Sequence, residues 1–350
     1  MIAAPLAFSQ ATCTLNAPAP IPIRAEGNAE LLPPFSLSCN SPNGIGGSIN
    51  VLMGLSPAVA ITSKGLNAGT GATEATAVLG SQSVQATVSG TSLTFSGLSF
   101  PSGNFTITIT NVRVDASALP VALVGALPSP LTFAVLYEGS NVNANVVGPV
   151  TVACALPSLG APSTSTTPYS GCFNVAGSTG PAFLVPVSEN FAGAFKTLAD
   201  ESGTVVTVSG VNNQPNSGTR FRILFSNVSA AVYVPQYLAG SGNFQAQLTA
   251  SEAGPLTLPA SSGNGLSQIA ITGGSGEAVY EVTAESQTSL GYFAVPVYLT
   301  GTAPQLAAST VTATGWARAG YLFGQCPAIR VMPPAPPHLS PRPSAARARP

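Results

Sequence analysis

Histidine and charged residues are the groups in which this sequence is poorest. The 350-residue chain has one histidine, His338, and charged residues make up 7% of it, against roughly 25% in an average globular protein. A lone histidine near the C-terminus excludes a Ser-His-Asp triad or a Cys-His pair in the folded body, and it excludes a histidine-based zinc site. The only two aspartates are Asp115 and Asp200, and no acidic loop offers the alternating oxygen ligands of a calcium site. We therefore predict no metal and no cofactor.

A basic surface and long hydrophobic runs are also missing. The formal net charge is −1, and four of the basic residues fall in the last 21 positions (Arg330, Arg342, Arg347 and Arg349). The body of the chain thus has no basic stripe for phosphate, and we predict no nucleic-acid partner. No run beyond the N-terminus approaches the roughly 18 apolar residues of a spanning helix, so no membrane span is predicted.

The first eleven residues, M-I-A-A-P-L-A-F-S-Q-A, have a short apolar run followed by small residues at Ser9 and Ala11. This pattern is typical of the end of a secretory signal, although a basic n-region is missing. A plain apolar N-terminus is the alternative. We predict that residues 1–11 are a signal-peptide remnant and that the protein is secreted or displayed on a bacterial cell surface.

What the chain does contain is typical of β-structure. Hydrophobic residues make up 45% of it, with 36 glycines and 32 prolines. In Asn104–Val114, N-F-T-I-T-I-T-N-V-R-V, apolar and polar residues alternate with the period of a strand that has one buried face. A second copy of this pattern, R-F-R-I-L-F-S-N-V, occupies Arg220–Val228. The aligned pairs are Phe105 with Phe221, Ile107 with Ile223, Ile109 with Phe225, Thr110 with Ser226, Asn111 with Asn227 and Val112 with Val228.

This repeat, with turn signals about every 8–12 residues, predicts an all-β chain of two tandem immunoglobulin-like β-sandwich domains. The predicted domains are residues 12–155 and 172–327. Between them, residues 156–171 are rich in Pro, Ser and Thr and predict a linker. Residues 328–350 are rich in Pro and Arg and predict a disordered tail. Residues 191–202 fit either a short helix or a loop.

Five cysteines are present, which is an odd number. Cys13 and Cys39 lie in short strand-like pieces, and in an exported β-protein we predict a disulfide between them, with two buried thiols as the alternative. Cys172 with Cys326 would join the two ends of the second domain and leave Cys154 as a free or intermolecular thiol. Cys154 with Cys172, across the linker, is the competing pairing.

Two clusters of glutamates are the remaining candidates for catalysis: Glu26 with Glu30, and Glu277 with Glu281 and Glu285. A pair of carboxylates can hydrolyse glycosides without histidine. Such sites usually also hold the sugar with aromatic and amide side chains, and this chain has a single tryptophan. We interpret these glutamates as polar positions beside strands or on loops.

Aromatic residues are frequent in the second predicted domain. Tyr233, Tyr237 and Trp316 are candidates for stacking on sugar rings, as in a carbohydrate-binding module. Core positions are the favoured interpretation for the aromatics as a group, because several fall in one strand-like run at 292–298.

Two stretches carry a resemblance. One is the N-terminal A-T-C-T-L, P-I-R-A-E-G-N-A-E-L and F-S-L-S-C-N, and the other is G-T-R-F-R-I-L-F-S-N-V-S-A-A-V-Y-V-P. Together they resemble exported β-rich proteins of acidobacterial type. The opening Cys-strand-Cys unit also resembles spore-coat-U and chaperone-usher pilin domains over about residues 12 to 40. That likeness implies an immunoglobulin-like sandwich with its first strand tied by a disulfide, and a surface or fibre subunit. The chain departs from the pilin pattern because two domains follow and no clear donor strand is seen.

These observations predict an exported, non-catalytic structural or adhesive protein, of the cell surface or of an extracellular filament. Its expected partners are further copies of itself, other surface proteins, or glycans. Scarce charge supports this, because uncharged edge strands can pair with neighbours. A carbohydrate-binding module is the first alternative, and a Glu-dependent glycan hydrolase is the second.

Overall fold

The computed structural model describes residues 10–42, 45–67, 69–119, 129–159, 165–168, 181–201, 217–252, 255–300 and 310–318, of which 165–168 and 310–318 are described by their backbone alone. Within these ranges the regular secondary structure is almost entirely β-strand, which confirms the predicted all-β class. The strands are β1 Thr12–Asn16, β2 Ile21–Arg24, β3 Glu30–Leu31, β4 Phe35–Ser41, β5 Gly47–Ser56, β6 Gly65–Asn67, β7 Ala72–Leu79, β8 Gln82–Ser89, β9 Ser92–Phe100, β10 Gly103–Thr110, β11 Arg113–Val114, β12 Ser129–Ser140, β13 Asn145–Leu156, β14 Ser165–Pro168, β15 Phe183–Ser188, β16 Arg220–Ser226, β17 Ala231–Pro235, β18 Tyr237–Ala239, β19 Gln245–Thr249, β20 Leu266–Ile269, β21 Gly276–Ala284, β22 Tyr292–Thr300 and β23 Thr310–Arg318. The helical segments described are a 3-10 turn at Ala116–Ala118 and one α-helical turn, α1, at Leu198–Glu201.

The strands divide into two groups that share no sheet among the described residues. In the N-terminal half, which ends at residue 159, eleven strands form one sheet in the order β1-β4-β10-β7-β8-β9-β5-β12-β13-β2, with β6 beside β7. Strands β11 and β3 form a separate pair. In the C-terminal half, from residue 165, six strands run in the order β14-β23-β16-β21-β19-β18, and four run in the order β15-β22-β17-β20.

Each half has its own hydrophobic core. The N-terminal core is built from alternate residues of long strands, such as Ile49, Val51 and Met53 of β5, all fully buried. The C-terminal core is more aromatic, and the rings of Phe244 and Phe293 stack at a centroid distance of 4.1 Å. The two cores lie almost entirely within the two predicted domains, whose boundaries stay predictions.

The repeated sequence pattern forms the same local structure in both halves. The apolar residues at 105, 107 and 109 of β10 and at 221, 223 and 225 of β16 are all buried. Directly after each strand an asparagine takes a left-handed conformation, Asn111 with φ 59° and Asn227 with φ 56°. Asparagine tolerates that conformation better than most residues, so it ends the strand and redirects the chain. A buried valine follows in each copy, Val112 and Val228.

The predicted Cys13–Cys39 disulfide is present. The two cysteines are directly opposite each other in the antiparallel β1–β4 ladder, and their sulfurs are 2.04 Å apart. The same strand is held from the other side by the buried Tyr137 of β12, whose hydroxyl accepts from the Cys13 N–H at 2.9 Å. β1 is therefore fixed to two parts of the sheet that are remote in sequence.

The segment predicted as a linker is more ordered at its start than its composition indicates. Ser158 is fully buried, and both its N–H and its hydroxyl donate to Oε1 of Glu26, at 2.9 and 2.6 Å. The Ser158 carbonyl in turn accepts from the Asn190 N–H at 2.9 Å. Further along, β14 pairs with β23. The start of the predicted linker is therefore held by hydrogen bonds to both halves: to the Glu26 carboxylate and to the Asn190 N–H.

Of the segment 191–202, the structure describes residues 191–201, which form a loop with a single helical turn at its end. The described helix is α1, Leu198–Glu201, and the Thr197 hydroxyl donates to the Asp200 carboxylate at 2.6 Å. None of the helices among the described residues combines the length and the apolar character needed to cross a membrane.

Candidate functional site: an ionic junction between the two halves

Charged side chains are concentrated where the two halves meet. Arg24 and Glu30 come from the N-terminal half, and Lys196 and Glu201 come from the C-terminal half. We call these four residues the ionic junction. In a chain with so few charges, such a cluster is the most distinctive chemical feature of the described residues.

Arg24 is the centre of the ionic junction. Its side chain is 0% exposed, and it forms ion pairs with Glu30 in its own half and with Glu201 in the other half. Its Nε donates to Oε1 of Glu30 at 2.7 Å, and its Nη1 donates to the hydroxyl of Thr219 at 3.0 Å. The guanidinium therefore binds two carboxylates and a hydroxyl at once, and its fork of donors suits it to this.

Glu30 accepts hydrogen bonds from residues of both halves. Its Oε2 accepts from Nζ of Lys196 at 3.0 Å and from the backbone N–H of Arg24 at 3.2 Å. Buried charges of this kind are tolerated only when they are paired and hydrogen-bonded. Arg24 and Glu30 meet that requirement, and each of them is hydrogen-bonded to a residue of the C-terminal half.

Local backbone structure brings these residues together. Arg24 ends β2 and Glu30 begins β3, and a tight turn between them is closed by the Gly27 N–H donating to the Arg24 carbonyl at 3.1 Å. On the other side, Lys196 and Thr219 are tied by two hydrogen bonds. The Lys196 N–H donates to the Thr219 hydroxyl at 2.9 Å, and the Thr219 N–H donates to the Lys196 carbonyl at 2.8 Å.

Burial and charge act in opposite directions on the ionisation of the junction. Burial would lower the pKa of Arg24, but the carboxylates of Glu201 and Glu30 outweigh it and raise that pKa above its ordinary value. Burial would raise the pKa of Glu30, but Arg24 and Lys196 lower it to about 2. Burial and the Arg24 charge lower the pKa of Lys196 despite the two carboxylates. Arg24 and Glu30 are therefore charged at neutral pH.

A further ion pair lies at the rim of the junction. Nε of Arg113 donates to Oε1 of Glu74 at 2.9 Å, and its Nη1 donates to the Ala29 carbonyl at 3.1 Å. The same Nη1 reaches the carbonyl of Asp200 in the C-terminal half at 3.4 Å. Arg113 thus adds a second, more exposed contact between the halves.

The glutamates singled out from the sequence do not share one cleft. Glu26 holds Ser158, and Glu30 belongs to the ionic junction. Glu281 is buried and binds Arg220, with its Oε2 2.6 Å from Nη2. Glu277 is about half exposed near Arg222. Glu285 directly follows β21, and its Oε1 accepts from the Gln287 amide at 2.5 Å.

The aromatic candidates are separated in space. Tyr233 is half-buried in β17, and Tyr237 in β18 is 62% exposed on a different sheet. Trp316 lies in β23 opposite Arg222, and its side chain is outside the described residues. Tyr233 has an aromatic neighbour, Tyr298, directly opposite it in β22.

Of the cysteines, Cys154 is a half-buried free thiol within the described residues. Cys172 and Cys326 lie outside the described residues, so their pairing stays a prediction. Where the structure describes side chains, no three His, Cys, Asp or Glu residues are grouped as metal ligands would be.

Sequence reasoning named Glu30 but did not identify the ionic junction. The sequence did contain a signal for the Arg24–Glu30 pair. In a chain with few charges, an Arg and a Glu six residues apart around a turn can form an ion pair within one half. The partners Lys196 and Glu201 are more than 160 residues away, and no local pattern connects them to Arg24.

No protein-family model matches the chain, and no curated protein matches it. Among solved structures, it is similar to a DUF4466 family protein from Parabacteroides merdae, with a TM-score of 0.27 and 11% identity over 84% of this chain and 100% of the other. It is also similar to red sea bream transglutaminase, with a TM-score of 0.23 and 9% identity over 84% of this chain and 31% of the other. Neither likeness enters the argument on function.

Proposed function

We propose that this is an exported, non-catalytic structural or adhesive protein of the bacterial cell surface or an extracellular assembly, built from two immunoglobulin-like sandwiches. The observation that supports the proposal is the uneven distribution of charged residues. Ionisable side chains are engaged in internal pairs at the ionic junction, while the four strands β15, β22, β17 and β20 contain no charged residue at all. The resemblance to exported β-rich and pilin-like proteins also supports a role as a surface or fibre subunit.

An uncharged sheet edge favours self-assembly. Among the described strands, β20 is an edge of its sheet, and it contains neither a lysine nor a proline, which commonly protect such edges. Its outward backbone groups at Leu266 and at the Gln268 N–H are bonded to Ser262 and Gly263, so the uncharged side chains of this edge, and not a row of open backbone groups, are its exposed surface. A groove of about 400 Å³ lies beside it, lined by Ala230, Ala231 and residues 268–271. We infer that a second copy of the chain packs against this uncharged edge and its groove.

Self-assembly is tested by placing a charge on this edge. Replacing the exposed Gln268 of β20 with lysine is expected to shift the full-length protein from oligomers or filaments toward monomer, because burying an unpaired charge between two copies is costly. Light scattering and electron microscopy of the same sample measure this. Gln85→Lys is the matched control, because Gln85 is also exposed but lies on β8, which is paired on both sides. A monomeric wild-type protein would contradict the proposal.

Glycan binding is the second candidate function, and a specific arrangement favours it. Tyr233 of β17 lies opposite Tyr298 of β22 on one side and opposite Gln268 of β20 on the other. Two tyrosine rings beside an amide, on strands without charge, provide stacking surface and hydrogen-bonding groups for a neutral sugar. The Tyr233 hydroxyl and the Gln268 amide oxygen are 3.4 Å apart.

The expected result is that Tyr233→Ala weakens binding to neutral polysaccharides at least about tenfold, the equivalent of about 1.4 kcal/mol. Isothermal titration against soluble neutral glycans measures it. Tyr237→Ala is the control, since Tyr237 is exposed on the other sheet and its loss should leave binding unchanged. Equal loss in both variants, or no binding by the wild type, would remove this candidate.

A further inference from the structure

The outer face of the sheet formed by β15, β22, β17 and β20 carries three tyrosines. In β22 every second residue, from Phe293 to Leu299, is buried in the C-terminal core, so the residues between them have their side chains on the outer face. The ladder register places residues of β17 and β20 on the same face, because their neighbours in each strand are buried. We call six residues of this surface the tyrosine face: Tyr233, Gln268, Tyr292, Ala294, Pro296 and Tyr298.

Aromatic side chains lie at both ends of the tyrosine face. Tyr292 and Tyr298 are six residues apart in β22, which in a strand corresponds to about 20 Å. Tyr298 is directly opposite Tyr233, so one end has two rings and the other end has one. Ala294 and Pro296 lie between the two ends on the same face, and their side chains are shorter than a tyrosine ring. The rings therefore flank a low, apolar stretch that follows β22.

Hydrogen bonds hold both ends in position. The Tyr292 N–H donates to Oγ of Ser241 at 3.0 Å, and the Tyr292 carbonyl accepts from the Ser241 N–H at 2.8 Å. These bonds fix the backbone and leave the Tyr292 side chain 51% exposed. At the other end, the hydroxyl of the half-buried Tyr233 donates to Oε1 of Gln268 at 3.4 Å. Side chains placed in advance lose less conformational freedom when a ligand binds.

The chemistry of the tyrosine face matches that of a neutral sugar chain. A sugar ring has C–H groups on its faces and hydroxyl groups at its edges. Aromatic rings contact the former, and tyrosine hydroxyls and the Gln268 amide hydrogen-bond to the latter. The four strands contain no charged residue, so they offer no counter-charge to a sulfated, phosphorylated or carboxylated sugar. A single sugar ring is also far shorter than the distance between the two ends.

We propose that the tyrosine face binds an extended, neutral glycan chain that lies along β22, with several sugar units between Tyr298 and Tyr292. This site rests on the glycan binding proposed above, and it adds the length and the course of the ligand. Short sugars occupy the end at Tyr233 and Tyr298, where two rings and an amide are close together. Longer chains reach Tyr292 as well.

Dependence of affinity on chain length tests this site. The probes are cello-oligosaccharides and manno-oligosaccharides of increasing length, from the disaccharide upward, titrated calorimetrically into the full-length protein. For at least one of the two series, the wild-type affinity is expected to rise at least about tenfold from the disaccharide to chains long enough to reach Tyr292, and then to stay constant.

Variants at the two ends are expected to behave differently. Tyr292→Ala should remove the gain with length and leave the affinity for the disaccharide unchanged, whereas Tyr233→Ala should weaken binding at every length. Tyr292→Leu keeps an apolar side chain without the ring, and it should also lose the gain. Tyr237→Ala is the control, because Tyr237 is exposed on the other sheet, and it should keep the wild-type dependence on length.

The outcomes separate this site from glycan binding itself. If the wild type binds no member of either series, both glycan binding and the extended site are wrong. If it binds all lengths equally, or if Tyr292→Ala keeps the gain with length, glycan binding stands and the extended site is wrong. Light scattering of the same variants checks the remaining occupant. If Tyr292→Ala dissociated oligomers without changing glycan affinity, the tyrosine face would bind a second copy of the chain and the proposal would be overturned.

Discussion

Replacing Arg24 with methionine is expected to lower the free energy of unfolding by about 3–5 kcal/mol, the range measured when one partner of a buried ion pair is removed. The substitution leaves the carboxylates of Glu30 and Glu201 buried without their main counter-charge. Their side chains are only 3% and 4% exposed, respectively, so water cannot solvate the unpaired charges. Methionine fills much of the arginine volume, so the loss reflects charge more than a cavity. Urea or thermal unfolding of the full-length variant measures the effect.

Arg222→Met is the matched control for this prediction. Arg222 also pairs with glutamates, Glu252 and Glu277, but its side chain is 34% exposed. Water and salt screen such a pair, so the expected loss is about 0–1 kcal/mol. Equal effects of the two substitutions would mean that the ionic junction has no special role in holding the fold.

Removing the disulfide with the double variant Cys13→Ser/Cys39→Ser is expected to cost about 3–4 kcal/mol. The bond closes a loop with a sequence separation of 26 residues, and its loss gives the unfolded chain back the conformations that the bond had excluded. Because β1 is also tied to β12 through Tyr137, the folded sheet itself should persist. Thermal unfolding of the oxidised wild type, the reduced wild type and the double variant measures the loss.

Cys154→Ser is the control for thiol chemistry in general. Cys154 is a free thiol in β13, so this change should shift the free energy of unfolding by less than about 1 kcal/mol. The reduced wild type should match the double variant. If reduction had no effect on stability, the entropic role assigned to the disulfide would be wrong.

The elements that the sequence predicts well are those defined by local patterns. The alternation in 104–114 and its copy in 220–228 predict buried faces, and both form strands that end in a left-handed asparagine. The Cys13–Cys39 disulfide also follows from local reasoning, since both residues lie in short strand-like pieces near the start of the chain. Period, β-branched residues and spacing carry this information directly.

The elements that escape prediction depend on residues distant in sequence. From the sequence, Glu281 is interpreted as a polar position beside a strand or on a loop, yet it lies in β21 and is buried against Arg220, 61 residues away. No local pattern marks Arg24 as buried, and it is completely buried because Glu201 and Thr219 approach it from the other half. Residues 156–159 have the composition of a loose connection, yet Glu26 and Asn190 hold them.

Among the described residues, six charged side chains are buried, and three of them, Arg24, Glu30 and Glu201, belong to the ionic junction between the two halves. The sheet of β15, β22, β17 and β20 contains no charged residue. This arrangement suits a rigid, two-part building unit with surfaces able to contact other copies or neutral ligands. The central claim is that Arg24 and Glu201 interact directly across the two halves.

A double-mutant cycle on Arg24→Met and Glu201→Gln tests that claim most directly. The free energies of unfolding of the wild type, the two single variants and the double variant give the interaction energy between the two side chains. The double variant is expected to lose less stability than the sum of the two single variants, by at least about 1.5 kcal/mol, because each single change leaves the other side chain buried without its partner. Additive effects within about 0.5 kcal/mol would contradict it, since residues that do not interact show additivity of that order.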